Sequence, residues 1–322
     1  MDPVARVPNP QPFAHSLVGI SARHRRFLSR HGAIYSSVPE VCMKQSIGVV
    51  LLILLCSLAL SAQEKPDIEK EKAAITQAAL DYAEGYYEGS GERMERAVHP
   101  LLFKRGLVKV NDQGEPFLVF MNSEVLIEAA RSGRGKVDPD KRNISVAVLD
   151  LNENTASAKV FTVQFNDFLH LAKVNGQWKI VNVLWRPPQP TAAEAKADDA
   201  VKKVLADLRE TADAKDADRA RLLIHPELIR RTYAAGPPGG KKLLQDVTGE
   251  TLLQIIRMGR AAIPKDQPQP EVTVLDVYET IASVKSSRPG GTEYSHLALQ
   301  NGQWRVVNML ATTLPPPAGD KK

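Results

Sequence analysis

Residues Phe165–Asn182 read FNDFLHLAKVNGQWKIVN. In this segment Asn-Gly separates two stretches in which apolar and polar residues alternate. Asn-Gly between two such stretches is the strongest short-range signal for a β-hairpin, because both turn residues must adopt a positive φ. The chain repeats this pattern at Gly291–Asn308, which reads GTEYSHLALQNGQWRVVN, with NGQW displaced by 126 residues. The sequence therefore predicts two copies of one antiparallel hairpin.

The same displacement of 126 residues holds far beyond the hairpin. Further matching pairs are His99-Pro100 with His225-Pro226, Val148–Asp150 with Val274–Asp276, and His170–Ala172 with His296–Ala298. So long a displacement indicates a duplicated domain, because solenoid repeats are much shorter. The Pro-rich segment 187–193 is typical of a stiff linker. We therefore expect a first domain at 63–186, a second domain at 194–314 and a flexible tail at 315–322.

In each copy, apolar residues first recur at helical spacing and later alternate with polar residues as in a β-strand. Apolar residues at helical spacing predict the first helix of each copy, at Ile75, Ala79, Tyr82 and Tyr86 and at Val201, Leu205, Leu208 and Ala212. Two further helices follow, the second helix ending near the His-Pro pair, and four strands then close each copy. Helices followed by antiparallel strands predict α+β domains with the helices on one face of the sheet.

The hairpin resembles the closing hairpin of the "putative lumazine-binding" family, which belongs to the nuclear transport factor 2-like superfamily. The resemblance extends over roughly residues 68–185 and 194–311, and the second copy is more divergent: Ala311 stands where the first has Trp185. It implies two cone-like domains, each with three helices packed on a curved antiparallel sheet and a pocket at the wide end. It also implies that the two domains pair through their sheets. It leaves the chemistry open, because this fold carries isomerases, dehydratases, polyketide cyclases and domains without activity.

Most of the net positive charge of the chain lies in its N-terminal part. The net charge is +5, but residues 1–62 hold six basic and two acidic groups, which leaves 36 basic and 35 acidic groups for the remainder. The body of the protein is therefore neutral and lacks the basic surface that nucleic-acid binding requires. We expect no nucleic-acid partner.

Residues 43–62 have the pattern of a secretory signal peptide. A lone Lys44 precedes an uncharged run from residue 47 to residue 62, which is short for a membrane span of roughly 20 residues. We therefore expect export, to the periplasm or out of the cell, with cleavage after Ala62 and no stable membrane span thereafter. Residues 1–42 are then a disordered or non-native extension. The alternative is a membrane anchor at 47–62 with the Arg-rich extension kept inside.

Both cysteines of the chain, Cys42 and Cys56, precede the expected cleavage site. The mature chain would contain no thiol for a disulfide, a nucleophile or a metal site. Spacings typical of phosphate loops, dinucleotide sites, nucleophile elbows and metal sites are also missing from the sequence. We therefore expect no cofactor and no metal.

Histidines at matching positions are the first candidate functional residues. His170 and His296 lie in the third predicted strand, where each either faces the pocket as a base or ligand contact or is a hydrogen-bonded structural residue. His99 and His225 precede prolines at the predicted end of the second helix. There we expect either a role at the helix end or a polar group at the pocket mouth.

Amides and aromatic residues complete the candidate ligand contacts. Asn182 and Asn308 share the parity of the tryptophans in the last strand, which predicts either a ligand contact or a polar link between strands. The first copy also offers Tyr82, Tyr86 and Phe165 to its pocket. The second copy has Leu208, Ala212 and Gly291 at these positions, so we expect different pockets, with the first copy the better binder.

Asp167 is the acid nearest His170 along the chain. Residues 167 and 170 of a regular strand point to opposite faces, so the two cannot form a catalytic pair. Because Asp167 follows a predicted turn, we expect a solvated carboxylate.

These observations favour a non-catalytic module that binds a small, partly apolar molecule or a partner protein, built as an internal pseudo-dimer or a homodimer. The alternative is an isomerase or cyclase-type enzyme with a pocket in the first domain, which would use His170 or His99 together with a tyrosine.

Overall fold

A computed structural model describes residues 67–109, 114–188, 197–234 and 241–313. The expected extension, signal peptide and tail lie outside the described residues, as does the linker from residue 189 onward. Within the described ranges, no helix combines the length and apolarity needed to cross a membrane.

The described part of the first domain contains three α-helices, one 3-10 turn and six strands. In chain order these are α1 (Ile68–Glu88), α2 (Gly91–Ala97), β1 (Val98–Val108), β2 (Phe117–Asn122), α3 (Ser123–Arg131), the 3-10 turn Pro139–Lys141, β3 (Ser145–Asn152), β4 (Thr155–Phe161), β5 (Asn166–Val174) and β6 (Gln177–Arg186).

The second domain repeats this order in the residues described for it. Its elements are α4 (Asp198–Ala214), α5 (Ala217–Leu223), β7 (Ile224–Ala234), β8 (Leu243–Thr248), α6 (Gly249–Arg257), β9 (Glu271–Tyr278), β10 (Ile281–Arg288), β11 (Gly291–Gln300) and β12 (Gln303–Thr313). The helices α2 and α3 and the strands β1 and β6 each begin 126 residues before their counterparts.

Each domain forms one six-stranded sheet with the same topology. The orders are β2-β1-β6-β5-β4-β3 and β8-β7-β12-β11-β10-β9. The first strand of each domain pairs with the last strand in parallel, and the other pairings are antiparallel. The predicted α+β class and the three helices per domain are confirmed. The four strands predicted for each copy are present, but each sheet has two more, β1 and β2 in the first domain and β7 and β8 in the second.

The strand β1 was hidden in the sequence by Pro100 and Gly106, since both residues disfavour strand interiors. In the structure β1 follows α2 directly, and its pairing with β6 jumps from Val98 to Phe103. Pro100 lies inside this interruption, where its missing N–H costs no ladder hydrogen bond. The His99-Pro100 pair, which the sequence assigned to the end of the second helix, therefore lies at the start of β1.

The hairpin that closes each sheet is confirmed. Asn175 and Gly176 have φ values of 51° and 81°, and Asn301 and Gly302 have φ values of 51° and 73°. A two-residue turn with both φ values positive matches the right-handed twist of its strands, and Asn-Gly is the pair that adopts it most readily. This turn sets the register of β5 on β6 and of β11 on β12.

The helices cover the inner face of each sheet, and the two outer faces pack against each other. Ile75, Ala79 and Tyr82 of α1 are buried in the inner core of the first domain. A separate cluster joins Phe168 and Leu184 of the first sheet to residues of the second, including Val307. Each sheet is therefore buried on both faces, one inside its own domain and one between the domains.

The contact between the sheets has approximate two-fold symmetry, as expected when a residue and its duplicate exchange equivalent contacts. The Ser157 and Ser283 hydroxyls lie 2.9 Å apart. Two further pairs of contacts obey the same symmetry. Lys159 binds Asp276 at 2.5 Å and Lys285 binds Asp150 at 2.9 Å, while the guanidinium groups of Arg105 and Arg231 donate to the carbonyl oxygens of Glu227 and Leu101.

Candidate functional site

His170 and His296 lie at the centre of the contact between the sheets. Both side chains are fully buried, and their rings stack with centroids 3.5 Å apart. Each Nδ1 lies within hydrogen-bonding distance of an asparagine amide, 3.3 Å from Asn182 Nδ2 and 3.2 Å from Asn308 Nδ2. The structural alternative therefore applies to these four residues: they lie between the two domains and are not ligand contacts of a cone.

A β-bulge explains why the asparagines do not face the same side as the tryptophans, although their spacing predicts that they should. Leu171 pairs with Ile180 and His170 pairs with Asn182, so Val181 is the extra residue of the bulge. Before the bulge, Trp178 and Ile180 face the inner core, whereas after it Asn182 faces the other domain. The second copy has the same irregularity between His296 and Leu297. A bulge reverses the faces of all later residues and leaves no mark in an alternating sequence.

His99 and His225 occupy the second positions of β1 and β7 rather than helix ends. Each Nδ1 accepts a hydrogen bond from the backbone N–H two residues further on, that of Leu101 or Glu227, at 3.1 Å. Both imidazoles are half-buried. They order the entry into the strand, which corrects the expectation that the His-Pro pair ends a helix.

The cone of the first domain is filled by its own side chains. Phe165 stacks on Tyr87 with ring centroids 5.6 Å apart and meets Tyr82 and Tyr86 edge-on at 6.0 Å. The three residues predicted to line the pocket, Tyr82, Tyr86 and Phe165, therefore pack against one another. They form an aromatic core where a pocket was expected.

A buried ion pair lies beside these rings. Lys104 Nζ is 2.8 Å from Asp167 Oδ2, which also accepts a 2.5 Å hydrogen bond from the Tyr82 hydroxyl. Asp167 is fully buried, so the expectation of a solvated carboxylate is wrong. The predicted separation from His170 is correct, because Asp167 faces the cone and His170 faces the other domain.

Burial shifts the pKa values of this cluster. It raises the pKa of Asp167 and lowers that of Lys104, so desolvation opposes the pair that Coulomb attraction and the hydrogen bonds maintain. Burial and the adjacent carboxylate raise the pKa of Tyr82 well above 10. The Tyr82 hydroxyl therefore stays protonated and donates to Asp167.

Two large side chains of the first cone are accommodated by glycines. A Cβ atom on Gly106 would lie 2.2 Å from the indole of Trp185, and a Cβ atom on Gly135 would lie 2.2 Å from the ring of Tyr86. At the corresponding places the second domain has Thr232 opposite Ala311, and Ala212 with Ala261. The aromatic rings and the glycines that admit them are thus lost together in the second copy.

The second cone is open where the first is filled. It contains a cavity of about 620 Å³, whose lining includes Ala212, Gly291 and Ala311. These three residues occupy the positions of Tyr86, Phe165 and Trp185 in the first domain, 126 residues earlier. The open volume therefore lies in the second copy, whereas the sequence favoured the first copy as the better binder.

The lining of the second cone combines apolar side chains with arginines. Its apolar part comes chiefly from α4 and α6, with Leu205, Leu208, Leu252, Ile255 and Ile256. The cavity is also lined by four arginines: Arg209, Arg230, Arg260 and Arg288. Across the part of the chain that the structure describes, no group of three or more His, Cys, Asp or Glu side chains is placed to hold a metal ion.

The pair Arg230–Glu293 takes the place of Lys104–Asp167 in the second cone. Arg230 Nε donates to Glu293 Oε2 at 2.7 Å, and its Nη1 donates to Thr232 Oγ1 at 3.0 Å. The two charged side chains are 31% and 24% exposed, against 7% and 0% for the first pair. The open cone therefore leaves its ion pair within reach of solvent and of a ligand.

Comparison with known proteins finds a family that resembles the first domain. Residues 70–186 match the model of the family described as "Putative lumazine-binding". The match extends from α1 to the end of β6, and the second domain repeats its strand order. The first domain is therefore similar to the "Putative lumazine-binding" family, whose members have the nuclear transport factor 2-like fold.

Solved structures similar to this chain carry the same fold description. A nuclear transport factor 2-like protein of unknown function from Silicibacter pomeroyi is 18% identical, with a TM-score of 0.32, over 38% of this chain and 98% of that one. A counterpart from Methylobacillus flagellatus is 23% identical, with a TM-score of 0.30, over 40% of this chain and 98% of that one. No curated protein matches the chain.

We expect the protein to lose stability between pH 7 and pH 5 because of the stacked histidines. Burial lowers the pKa of His170 to about 3 and that of His296 well below 6.5. Below pH 6.5 the unfolded chain therefore binds protons that the folded protein excludes. The free energy of unfolding should fall by about 2 kcal/mol per histidine over this range, as urea unfolding at the two pH values would measure.

The double variant His170→Gln/His296→Gln is the control for this effect. It removes both buried imidazoles and leaves the half-buried His99 and His225, whose pKa values burial also lowers. We expect a smaller loss of stability between pH 7 and pH 5 in the variant. An unchanged pH dependence would contradict the assignment.

The two ion pairs should differ in their contribution to stability. Asp167→Asn leaves Lys104 buried without a counter-ion and should lower the free energy of unfolding by about 3 kcal/mol. Glu293→Gln removes the corresponding carboxylate from a partly exposed pair and should cost about 1 kcal/mol or less. Urea unfolding of the two variants at pH 7 makes the comparison, and equal losses would show that the cones do not differ in solvation.

Proposed function

We propose that the protein is a non-catalytic small-ligand-binding module whose ligand site is the cone of the second domain. The observation that supports the proposal is the 620 Å³ cavity lined by Ala212, Gly291 and Ala311, where the first domain is filled by aromatic rings. Its volume falls within the roughly 300–1,000 Å³ of small-molecule sites, and its lining is apolar with a few polar groups, as such sites require.

The first domain then acts as the structural partner of the binding domain. Its cone is filled, and its outer face packs against the sheet whose inner face lines the cavity. The catalytic alternative loses support, because His170 is sealed between the sheets and His99 binds its own backbone. The contact between the sheets within one chain favours the internal pseudo-dimer over a homodimer.

Export remains part of the proposal. It rests on the sequence of residues 43–62, with their single basic residue, apolar run and small residues at the end. N-terminal sequencing of the protein from its own host tests it. A mature chain beginning near residue 63 supports export, whereas a chain that keeps residues 43–62 supports the membrane anchor.

Filling the second cone should abolish binding. Thr232→Gly/Ala311→Trp transfers the glycine and the indole of the first domain to the second, where Ala311 and Thr232 face each other across β12 and β7. We expect the purified protein to bind the apolar dye N-phenyl-1-naphthylamine saturably. The double variant should bind it at least tenfold more weakly, as measured by fluorescence titration.

Thr232→Gly alone is the matched control, because it carries the same backbone change but leaves the cavity empty. It should bind the dye as the unaltered protein does. Saturable binding that persists in the double variant would place the dye elsewhere and refute the proposed site.

A further inference from the structure

The charge of the second cone defines the chemistry of its ligand; this inference rests on the proposed function. Four arginines line the cavity, and Glu293 is the one acid among the described lining residues. An uncharged apolar ligand would require no such lining. The basic groups therefore call for an explanation beyond the burial of apolar surface.

Two of the four arginines are specific to the open copy. Arg209 of α4 and Arg288 of β10 correspond to Ala83 and Thr162 in the filled copy, 126 residues earlier. Two positions of the second cone thus carry a cation where the first cone carries a small side chain. Positive charge and open volume occur in the same domain.

The carboxylates nearby pair with only two of the four arginines. Glu293 pairs with Arg230, and Asp213 pairs with Arg209 from outside the lining. Arg288 donates to the neutral amide of Gln267 at 2.7 Å, and within the described residues neither Arg288 nor Arg260 forms an ion pair. Burial lowers the pKa of Arg209, and the charge of Arg288 acts in the same direction.

We propose that the second cone binds an amphipathic anion, with an apolar body against α4 and α6 and a carboxylate, sulfonate or phosphate group against Arg209, Arg260 and Arg288. Guanidinium groups match the planar oxygens of such anions, and a wall of Leu and Ile side chains strengthens each charge-assisted hydrogen bond by excluding water. An anion would also relieve the repulsion between Arg209 and Arg288.

Two dyes that share one skeleton test this assignment. 8-Anilinonaphthalene-1-sulfonate carries a sulfonate that N-phenyl-1-naphthylamine lacks. We expect the purified protein to bind the sulfonate at least tenfold more tightly than the neutral dye in fluorescence titrations at low salt. Added salt should weaken binding of the sulfonate and leave the neutral dye unchanged.

Charge variants locate the effect. Arg209→Gln/Arg288→Gln should weaken binding of the sulfonate at least tenfold and change that of the neutral dye less than twofold, which also shows that the cavity remains folded. The matched control is Arg219→Gln/Arg221→Gln, which removes the same net charge from exposed positions of α5 outside the cavity. It should leave both affinities unchanged.

The outcomes separate the ligand class from the site. If both dyes bind equally well and Thr232→Gly/Ala311→Trp removes both, the cavity binds ligands but the anionic class is wrong. If the control pair weakens the sulfonate as much as Arg209→Gln/Arg288→Gln does, general charge is responsible and the class is also wrong. If neither dye binds, or both bind to the filled variant, the site itself is refuted.

Discussion

The packing of the two sheets by their outer faces is the constraint on which the other features depend. It requires each sheet to be buried on both sides, so that the polar groups between the sheets have only one another and the backbone as partners. Across the approximate two-fold axis the two imidazoles stack, and the buried guanidinium groups of Arg105 and Arg231 donate to backbone carbonyl oxygens of the other domain. Within each sheet an asparagine amide lies beside the imidazole. Since the outer faces are occupied, the inner faces are what remains to hold a ligand.

The β-bulge in β6, and its duplicate in β12, makes this double burial possible. In a regular strand without the bulge, Asn182 would face the same side as Trp178, which belongs to the inner core. The bulge turns the amide towards His170 and returns the later residues of the strand to the cone. One inserted residue thus supplies both the polar centre of the domain contact and the inward position of Trp185, which Ala311 occupies in the second copy.

The features that depend on neighbouring residues could be predicted from the sequence. The features that depend on strand register or on packing between distant residues could not. The Asn-Gly turns and the stripe of α1 were readable because φ preference and helical spacing act over a few residues. The bulge changes the face of Asn182 without changing the composition of the strand. The burial of Asp167 depends on Lys104, which lies 63 residues away on a strand hidden by Pro100.

The expectation that the first copy is the better binder has a different origin. The substitutions at Tyr86, Phe165 and Trp185 were visible, but the aromatic side chains were interpreted as lining a pocket. Two domains with the same strands and helices enclose similar space, so larger side chains leave less of it free. The glycines at 106 and 135 were the available signal, because in each case a missing side chain admits a ring.

Filling one cone and opening the other is also a physically consistent arrangement. An empty cavity removes dispersion contacts from its walls and lowers the stability of the domain that contains it. The first domain retains those contacts through its stacked and edge-on rings, and it holds the outer face of the second sheet by hydrophobic packing and ion pairs. The open domain can therefore keep unneutralised arginines around a cavity, because the sheet beneath them is ordered from its other side.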